Sequence, residues 1–224
     1  MRAAAYTMAG GLKSAVPGLR LERELWQQGI RYVGGIDEAG RGALAGPVSA
    51  AVVILPPNSV DSSLLVSVRD SKELTPAERE RAAEAIRQCA LAWAFGLASA
   101  AEIDAQGILP ATRLAMTRAV GSLPLLPQFF LLDYIYWPHL TDPHLVIPKG
   151  EWHSLSIAAA SVIAKTERDR LMKALDADFP GYGFARHKGY GTAVHRHAIQ
   201  RLGLSSEHRR SFCGNALPES GLLS

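Results

Sequence analysis

Two adjacent acids, Asp37 and Glu38, stand between an apolar run and a glycine-rich basic loop in the sequence GIDEAGRG at residues 35–42. Carboxylates at the end of a strand supply the oxygen ligands that hard divalent cations prefer. The backbone amides of the glycine loop and the guanidinium of Arg41 supply donors for a phosphate. The segment therefore predicts metal-assisted chemistry on a phosphodiester.

Two further acids are candidates for the same cation site. Asp133 ends the apolar run 128–133, which repeats the arrangement at Asp37, and Glu151 follows a lysine and a glycine. Because Mg²⁺ keeps several waters and uses few protein ligands, acids that are distant in sequence can share one site. For Asp133 taken alone, the alternative that it only terminates a strand stays open. The histidines form no HExxH or Cys/His pattern, so oxygen ligands are predicted.

Two basic segments are candidates for phosphate contacts. Lys72 comes shortly before a predicted helix cap, where an exposed ammonium can reach a phosphate, although a loop lysine is commonly only solvated. The segment 183–192 combines basic groups, two aromatic residues and several glycines. Such a mixture suits stacking on sugars or bases together with phosphate binding. A loop that packs its aromatic rings on the core is the competing interpretation.

Composition limits the class of protein. The chain has 224 residues, of which 48% are hydrophobic, and this predicts one compact domain rather than a disordered chain. The net charge of +3 suits a polyanionic partner but is also common in proteins that have none. Cys89 and Cys213 are far apart and have no CxxC partner, so neither a disulfide framework nor a zinc site is indicated, and a reducing compartment is predicted. No run resembles a secretion signal or a membrane span, so a cytoplasmic protein is expected.

Apolar periodicity and turn residues predict the elements that must position these side chains. Alternation and short apolar runs predict strands, and spacings of three and four residues with capping residues predict helices. The predicted strands span residues 31–37, 47–55, 91–98 and 128–133, and the predicted helices span 19–28, 76–89, 99–107, 110–120, 154–178 and 192–202. A single domain is predicted for residues 19–212, with flexible tails at 1–18 and 213–224.

Six motifs in a fixed order resemble one known family. They are GIDEAGRGALAGPV at 35–48, DSK at 70–72, the acid that follows an apolar strand at 133, KGE at 149–151, SIAAASVIAK at 156–165 and HKGYGT at 187–192. The ending EHRRSF at 207–212 is also similar. On these residues the chain resembles ribonuclease HII, the type 2 ribonuclease H family. The resemblance implies an α/β, ribonuclease H-like fold, with a mixed sheet of about five strands flanked by helices and additional C-terminal helices.

The resemblance assigns four acids to catalysis and metal binding: Asp37, Glu38, Asp133 and Glu151. The chain departs from the family at Glu151, where aspartate is usual, and at Tyr134, where glycine is usual. The additional methylene of glutamate shifts the carboxylate by about a bond length, and Mg²⁺ demands near-ideal geometry. The departure therefore puts the preference between Mg²⁺ and Mn²⁺ in question.

The resemblance also implies how the substrate is recognised. Gly40, Arg41 and Gly42 match a loop whose backbone contacts the 2′-hydroxyl of a ribonucleotide. Tyr190 matches a tyrosine that stacks near the same sugar, and Lys72 matches a lysine that contacts phosphate. Together these residues are expected to select a ribonucleotide where it joins DNA.

The implied reaction is hydrolysis of the phosphodiester on the 5′ side of a ribonucleotide, giving 3′-hydroxyl and 5′-phosphate ends. The implied partners are RNA/DNA hybrids and duplex DNA with a single embedded ribonucleotide, without a membrane, and a monomer is expected. Two divalent ions, Mg²⁺ or Mn²⁺, would serve as cofactors, with no organic cofactor. Asp169 matches no ligand position and is interpreted as structural. Two alternatives stay open: a DNA nuclease of the same fold, and a nucleic-acid-binding protein without catalysis.

Overall fold

The computed structural model describes residues 17–57, 68, 71–138 and 140–214. Within them, five strands form one mixed sheet in the order β3-β2-β1-β4-β5. The strands are β1 Val33–Ala39, β2 Val48–Ile54, β3 Ala92–Ala98, β4 Phe129–Asp133 and β5 His144–Ile147. Pairing is antiparallel between β1 and β2 and between β2 and β3, and parallel between β1 and β4 and between β4 and β5. This is the mixed sheet that the resemblance implied.

Helices cover both faces of the sheet. In the described residues they are α1 Arg20–Gln27, α2 Pro76–Cys89, α3 Ala100–Gln106, α4 Ile108–Gly121, α5 Leu155–Asp178, α6 Phe184–His187 and α7 Ala193–Leu202. Along β2, Ala51 and Val53 pack in a core cluster with α2 and α5, whereas Ala50 and Val52 pack in a second cluster with α4. Because successive side chains of a strand point to opposite faces, the two clusters lie on opposite sides of the sheet.

Local capping chemistry explains where the helices begin. The Thr75 hydroxyl accepts a hydrogen bond from the Glu78 amide at 3.3 Å, and the Glu78 carboxylate accepts one from the Thr75 amide at 2.8 Å. Ser99 and Glu102 form the same reciprocal capping box before α3. Each box satisfies backbone donors that would otherwise lack a partner at a helix start. Both capping boxes were predictable from the sequence, and both predictions are confirmed.

Helix α5 packs directly on β1 because β1 carries glycine where the two elements meet. A Cβ at Gly35 would overlap the backbone of Ser156 and Ile157. The start of α5 is held by Glu22 of α1, whose Oε1 accepts hydrogen bonds from the Ser154 hydroxyl at 2.6 Å and the Ser156 hydroxyl at 2.7 Å. Burial raises the pKa of Glu22. These contacts place α5 against the end of β1 that carries the predicted site acids.

The structure confirms every predicted strand and helix and adds four short elements: β5, α6 and the 3₁₀ helices Gly150–Trp152 and Arg210–Phe212. The sequence does not predict β5 or α6, because each has only four residues and so cannot display a period. Helix α4 begins at Ile108 rather than at residue 110.

The packed region extends into both segments that were predicted to be flexible tails. The Gly18 carbonyl accepts a hydrogen bond from the Leu155 amide at 3.0 Å, and Cys213 is fully buried. Gly18 and Cys213 thus contact the packed region, and the domain limits at residues 19 and 212 stay predictions. Residues 1–16, 58–67, 69–70, 139 and 215–224 lie outside the described residues, and they include Asp70 of the DSK motif. None of the described helices is long and apolar enough to cross a membrane.

Candidate active site

The parallel pairing of β1 and β4 brings two of the predicted site acids together. The residues just before Asp37 and Asp133 are opposite each other in the register, so the two acids lie side by side at the carboxyl ends of their strands. Asp37 is 6% exposed, and its Oδ1 accepts a hydrogen bond from the Glu38 amide at 2.7 Å. The Ser161 hydroxyl of α5 also hydrogen-bonds to Asp37. Ser161 lies in a family motif, but the sequence indicates no role for it.

The segment after β5 brings Glu151 to the same edge of the sheet. Asp133 Oδ1 accepts a hydrogen bond from the Gly150 amide at 2.7 Å, which ties the end of β4 to the 3₁₀ turn that carries Glu151. Lys72 Nζ lies 3.8 Å from Glu151 Oε1, and its charge also acts on Glu38. The four predicted acids and the predicted phosphate-contacting lysine thus lie in one neighbourhood.

Burial raises the pKa values of two of the site carboxylates, Asp37 and Glu38. Burial is the main reason that the pKa of Asp37 lies well above its usual value, and the charges of Glu38 and Asp133 raise it further. Burial also raises the pKa of Glu38, whereas Arg41, whose NH1 lies 3.0 Å from Glu38 Oε1, lowers it. Like charges held away from water are stabilised by a nearby cation. The electrostatics of this cluster therefore suit a divalent ion.

The acids are not preassembled as a coordination sphere. Within the described residues, no group of three His, Cys, Asp or Glu side chains is arranged to hold a metal ion. Asp133 Oδ1 is engaged by the Gly150 amide and Glu38 Oε1 by Arg41, whereas the buried Glu38 Oε2 has no hydrogen-bond partner among the described residues. The candidate metal ligands are all carboxylate oxygens, which suit Mg²⁺ or Mn²⁺. Cation binding would require these carboxylates to exchange their present partners.

The glycine loop and Tyr190 are joined by backbone pairing. Ala43, directly after the loop, forms an isolated antiparallel bridge with Tyr190. Gly40 has a φ of +87°, and a Cβ there would overlap the Arg168 side chain, so both the backbone conformation and the close approach require glycine. The half-buried Tyr190 ring lies 5.2 Å from Lys165 Nζ. The predicted substrate loop, Gly40, Arg41 and Gly42, is therefore a neighbour of Tyr190.

Arg168 holds together the two segments that are predicted to recognise the substrate, although the sequence does not single it out. It is fully buried, and its guanidinium donates to the carbonyls of Pro47 at 2.8 Å, Ala45 at 3.1 Å and Lys188 at 2.9 Å. The guanidinium carbon also lies 5.4 Å from the centre of the Tyr190 ring. In sequence, Arg168 belongs to the charged second half of α5, which resembles a solvated surface. Only the tertiary structure shows that this position faces inward.

Arg209, in the C-terminal segment that shows no sequence period, holds the glycine loop from the other side. Its guanidinium donates to the carbonyls of Gly46 at 2.9 Å and Arg41 at 2.8 Å. Burial, with a further contribution from the charge of Arg168, lowers the pKa of Arg209 to about 9. The guanidiniums of Arg168 and Arg209 both donate hydrogen bonds to backbone carbonyls. These hydrogen bonds offset part of the free energy that burying the two charges costs.

Comparison with known proteins bears on the same residues. A family model described as ribonuclease HII matches residues 34–215. The ribonuclease HII of Synechococcus sp. (strain JA-3-3Ab) is 52% identical over 204 residues, which are 91% of this chain and 91% of that protein. This chain belongs to the ribonuclease HII family. It is therefore a ribonuclease H hydrolase, as the resemblance implied.

Solved structures share the ribonuclease H-like fold. Ribonuclease H2 from Pyrococcus horikoshii OT3 superposes with a TM-score of 0.68 at 24% identity, covering 80% of this chain and 93% of that one. The Bst ribonuclease HIII in complex with Mn²⁺ superposes with a TM-score of 0.61 at 21% identity, covering 76% of this chain and 61% of that one. At these identities the similarity concerns the fold, which confirms the predicted fold class.

The departure from the ribonuclease HII pattern at Tyr134 has a backbone consequence. Tyr134 has a φ of +46°, in the left-handed region that glycine adopts freely and that costs other residues about 1–2 kcal/mol. This conformation accounts for glycine being usual at the position. The Tyr134 side chain is 69% exposed and directly follows Asp133. An exposed aromatic ring therefore stands at the rim of the acid cluster.

Three buried histidines cluster behind Tyr190, and two of them are hydrogen-bonded to each other. The Ser205 amide donates to His208 Nδ1 at 2.9 Å, and His208 Nε2 lies 3.1 Å from His195 Nε2. His195 Nδ1 lies 3.0 Å from the Tyr190 carbonyl. The chain of bonds is complete when each ring is neutral, with His208 Nε2 and His195 Nδ1 as the donors. The His187 ring stacks on His195 with its centre 4.2 Å away.

Acid is expected to destabilise the protein through this cluster. Burial lowers the pKa of both His195 and His208 from 6.5 to about 4. The unfolded chain therefore takes up protons first as pH falls, and the free energy of unfolding should decrease between about pH 6.5 and 4, by about 3 kcal/mol for one histidine at ~1.4 kcal/mol per pKa unit. Urea unfolding across this pH range measures the slope, and NMR titration of the rings identifies its source.

The control for this prediction is His197, an exposed histidine on α7, the helix that carries His195. His208→Gln should flatten the dependence of the free energy of unfolding on pH, whereas His197→Gln should leave it unchanged. Ring resonances of His195 and His208 that titrate near the ordinary histidine pKa would contradict the prediction.

Proposed function

We propose that this protein hydrolyses the RNA strand of RNA/DNA hybrids and cuts on the 5′ side of single ribonucleotides embedded in duplex DNA, leaving 3′-hydroxyl and 5′-phosphate ends. One observation carries the proposal. The acids at the ends of β1 and β4 adjoin a glycine loop that follows β1 directly and is bridged to Tyr190. Membership of the ribonuclease HII family supports the same class of substrate.

Four acids are assigned to binding the catalytic ions, Mg²⁺ or Mn²⁺: Asp37, Glu38, Asp133 and Glu151. When bound, two such ions supply an activated water and stabilisation of the leaving oxygen. The acids act as ligands and take no covalent part. A protein of similar fold is known as a Mn²⁺ complex, which supports this class of ion. Lys72, whose side chain is 77% exposed, is assigned to contact a substrate phosphate.

Recognition of the 2′-hydroxyl is assigned to the backbone of the glycine loop. The Gly40 carbonyl accepts a hydrogen bond from the Ala43 amide at 3.3 Å, and the Arg41 carbonyl accepts one from Arg209. Among the described residues, the amides of Arg41 and Gly42 have no acceptor. A ribose 2′-hydroxyl can accept such hydrogen bonds, whereas deoxyribose has no oxygen at this position. Plain DNA would leave the donors unsatisfied.

Gel-resolved cleavage of a duplex with one ribonucleotide, with Mg²⁺ and with Mn²⁺ separately, tests the proposal. The expected result is a cut on the 5′ side of the ribonucleotide, a product that a polymerase can extend, and an intact all-DNA duplex. Equal cleavage of the all-DNA duplex would replace the proposal with a DNA nuclease. Duplex binding without cleavage in either ion would indicate a binding protein.

Tyr190→Ala is expected to reduce the selectivity for a ribonucleotide more than it weakens duplex binding. Loss of stacking on one sugar or base corresponds to about 1–3 kcal/mol, so the ratio of kcat/KM for single-ribonucleotide and all-DNA duplexes should fall roughly 10–100-fold. Tyr136→Ala, which removes a tyrosine that is 67% exposed, is the matched control and should leave the ratio unchanged. An unchanged ratio in the Tyr190 variant would remove this residue from the recognition site.

Glu151→Asp is expected to change the ion requirement. The shorter side chain restores the length usual in the family, so the Mg²⁺ concentration for half-maximal activity should fall relative to that for Mn²⁺, because Mg²⁺ tolerates misplaced ligands least. The measurement is a pair of ion titrations of cleavage rate, with Glu84→Asp on the exposed face of α2 as the control. Identical titrations for Glu151→Asp and the unmodified protein would dispose of this role.

A further inference from the structure

A basic pocket of about 270 Å³ opens beside the candidate active site, between α2, the second half of α5 and the segment around α6. Its lining includes two acids, Glu80 and Asp169, and six basic side chains: Arg79, Lys165, Arg170, Lys173, Arg186 and Lys188. The excess of basic groups suits an anionic ligand.

Three of the six basic side chains form ion pairs with the two acids of the basic pocket. Asp169 lies 3.2 Å from Arg79 NH1 and 2.6 Å from Lys165 Nζ, and Glu80 pairs with Arg170. These pairs account for Asp169, which the sequence interpretation took as structural.

The other three cations of the basic pocket are not neutralised. No carboxylate among the described residues lies within ion-pair distance of Lys173, Arg186 or Lys188. Burial lowers the pKa of Lys188, whereas the nearby charge of Asp169 raises it and that of Lys173 lowers it. The Lys188 ammonium donates a hydrogen bond to the Ala185 carbonyl. Lys173 and Arg186 are exposed, so they can contact a ligand from solution.

Helix α5 connects the acid cluster to the basic pocket. Ser161, which hydrogen-bonds to Asp37, is on the same helix as Lys173, and their separation of twelve positions corresponds to about 18 Å along α5. A duplex advances about 3.4 Å per base pair, so this length corresponds to about five base pairs. Lys165, at the near side of the pocket, lies 5.2 Å from the Tyr190 ring. The pocket is thus continuous with the candidate sugar-binding residue.

We propose that the basic pocket binds a backbone phosphate of the duplex within about five base pairs of the cleaved bond, through Lys173, Arg186 and Lys188. The position of the cleaved bond rests on the proposed function. The proposed ligand is a phosphate group of the duplex backbone. Free inorganic phosphate has the same chemistry and is the alternative ligand. Because backbone contacts position a duplex without reading its sequence, the pocket would set how much duplex the enzyme requires on one side of the ribonucleotide.

The test compares Lys173→Ala/Arg186→Ala with a control that removes two exposed charges at the other end of β1, Arg23→Ala/Arg31→Ala. Fluorescence anisotropy without divalent ions measures binding of the full chain to a duplex with a central ribonucleotide at several salt concentrations. The same measurement is repeated on duplexes shortened to about three base pairs on one side or the other. Shortening the duplex on the side of the ribonucleotide that faces the pocket removes the phosphate that the pocket would bind.

For the long duplex, the pocket variant should bind about 10-fold more weakly, and its slope of log K against log salt should be smaller by about 1–2. The control pair should change binding by less than about twofold, in line with its distance from the duplex. On one of the two shortened duplexes, the pocket variant and the unmodified protein should bind equally. An equal loss on both shortened duplexes, or as large a loss in the control pair, would overturn the proposal.

Two additional measurements separate this inference from related possibilities. Inorganic phosphate that binds the pocket by NMR titration without weakening duplex binding would assign the pocket to a free anion and overturn the proposal. Cleavage 5′ of the ribonucleotide together with unchanged binding by the pocket variant would contradict the proposal for the pocket and leave the proposed function intact. The predicted binding pattern without any cleavage would instead contradict the proposed function and support the proposal for the pocket.

Discussion

Asp37→Asn is expected to lower kcat/KM on a single-ribonucleotide duplex by roughly 10³-fold or more, which corresponds to about 4 kcal/mol of transition-state stabilisation. Asparagine keeps an oxygen that accepts hydrogen bonds from the Glu38 amide and Ser161, but it loses the charge that holds a cation. The variant should also be at least as stable as the unmodified protein. Because the pKa of Asp37 is raised in the folded state, the charged form reduces the free energy of unfolding at neutral pH, and asparagine removes that effect.

The measurement for Asp37 combines cleavage kinetics at saturating Mg²⁺ and Mn²⁺ with urea unfolding. Asp142→Asn is the matched control, because Asp142 is exposed and lies just before β5, at the opposite end of the sheet from Asp133. It should change neither quantity. Retained turnover in the metal-saturated Asp37 variant would refute the site assignment, and a loss of stability equal to the loss of activity would indicate a structural role.

Arg168→Ala is expected to give the largest loss of stability of any single substitution proposed for this chain, about 3–5 kcal/mol. The substitution leaves three carbonyls without their donor and opens a cavity between the glycine loop and Tyr190. Arg168→Lys should recover only part of the loss, because one ammonium cannot reproduce the planar fork of a guanidinium. Chemical unfolding monitored by circular dichroism measures both variants.

Arg170→Ala is the control for Arg168, because it lies two positions along the same helix in exposed ion pairs with Glu80 and Glu167. Its effect on the free energy of unfolding should be about 1 kcal/mol or less. Arg168 is a positioning residue, so at temperatures where Arg168→Lys stays folded, its selectivity for a ribonucleotide should fall more than its turnover of long hybrids. Equal stabilities of the Arg168→Ala and Arg170→Ala proteins would contradict this role.

Several parts of the candidate site were predictable because their chemistry is local in sequence. Asp37 and Asp133 each end an apolar run, and the glycines around Arg41 mark a loop that approaches a ligand closely. Capping residues predicted the starts of α2 and α3 for the same local reason. The strand β5 could not be predicted in this way, because four residues carry too little periodicity and its formation depends on pairing with β4.

The amino-acid sequence by itself determined the order of elements, the family and the candidate acids, because alternation, capping and motif spacing are properties of short stretches of chain. Only the tertiary structure decided which distant groups meet. The register of β1 on β4 places Asp37 beside Asp133. The bridge from Ala43 to Tyr190 brings the glycine loop next to the Tyr190 ring. Arg168, whose position in the sequence resembles a surface charge, is buried and holds these segments together. These features depend on packing between segments far apart in the chain, and no local pattern records that packing.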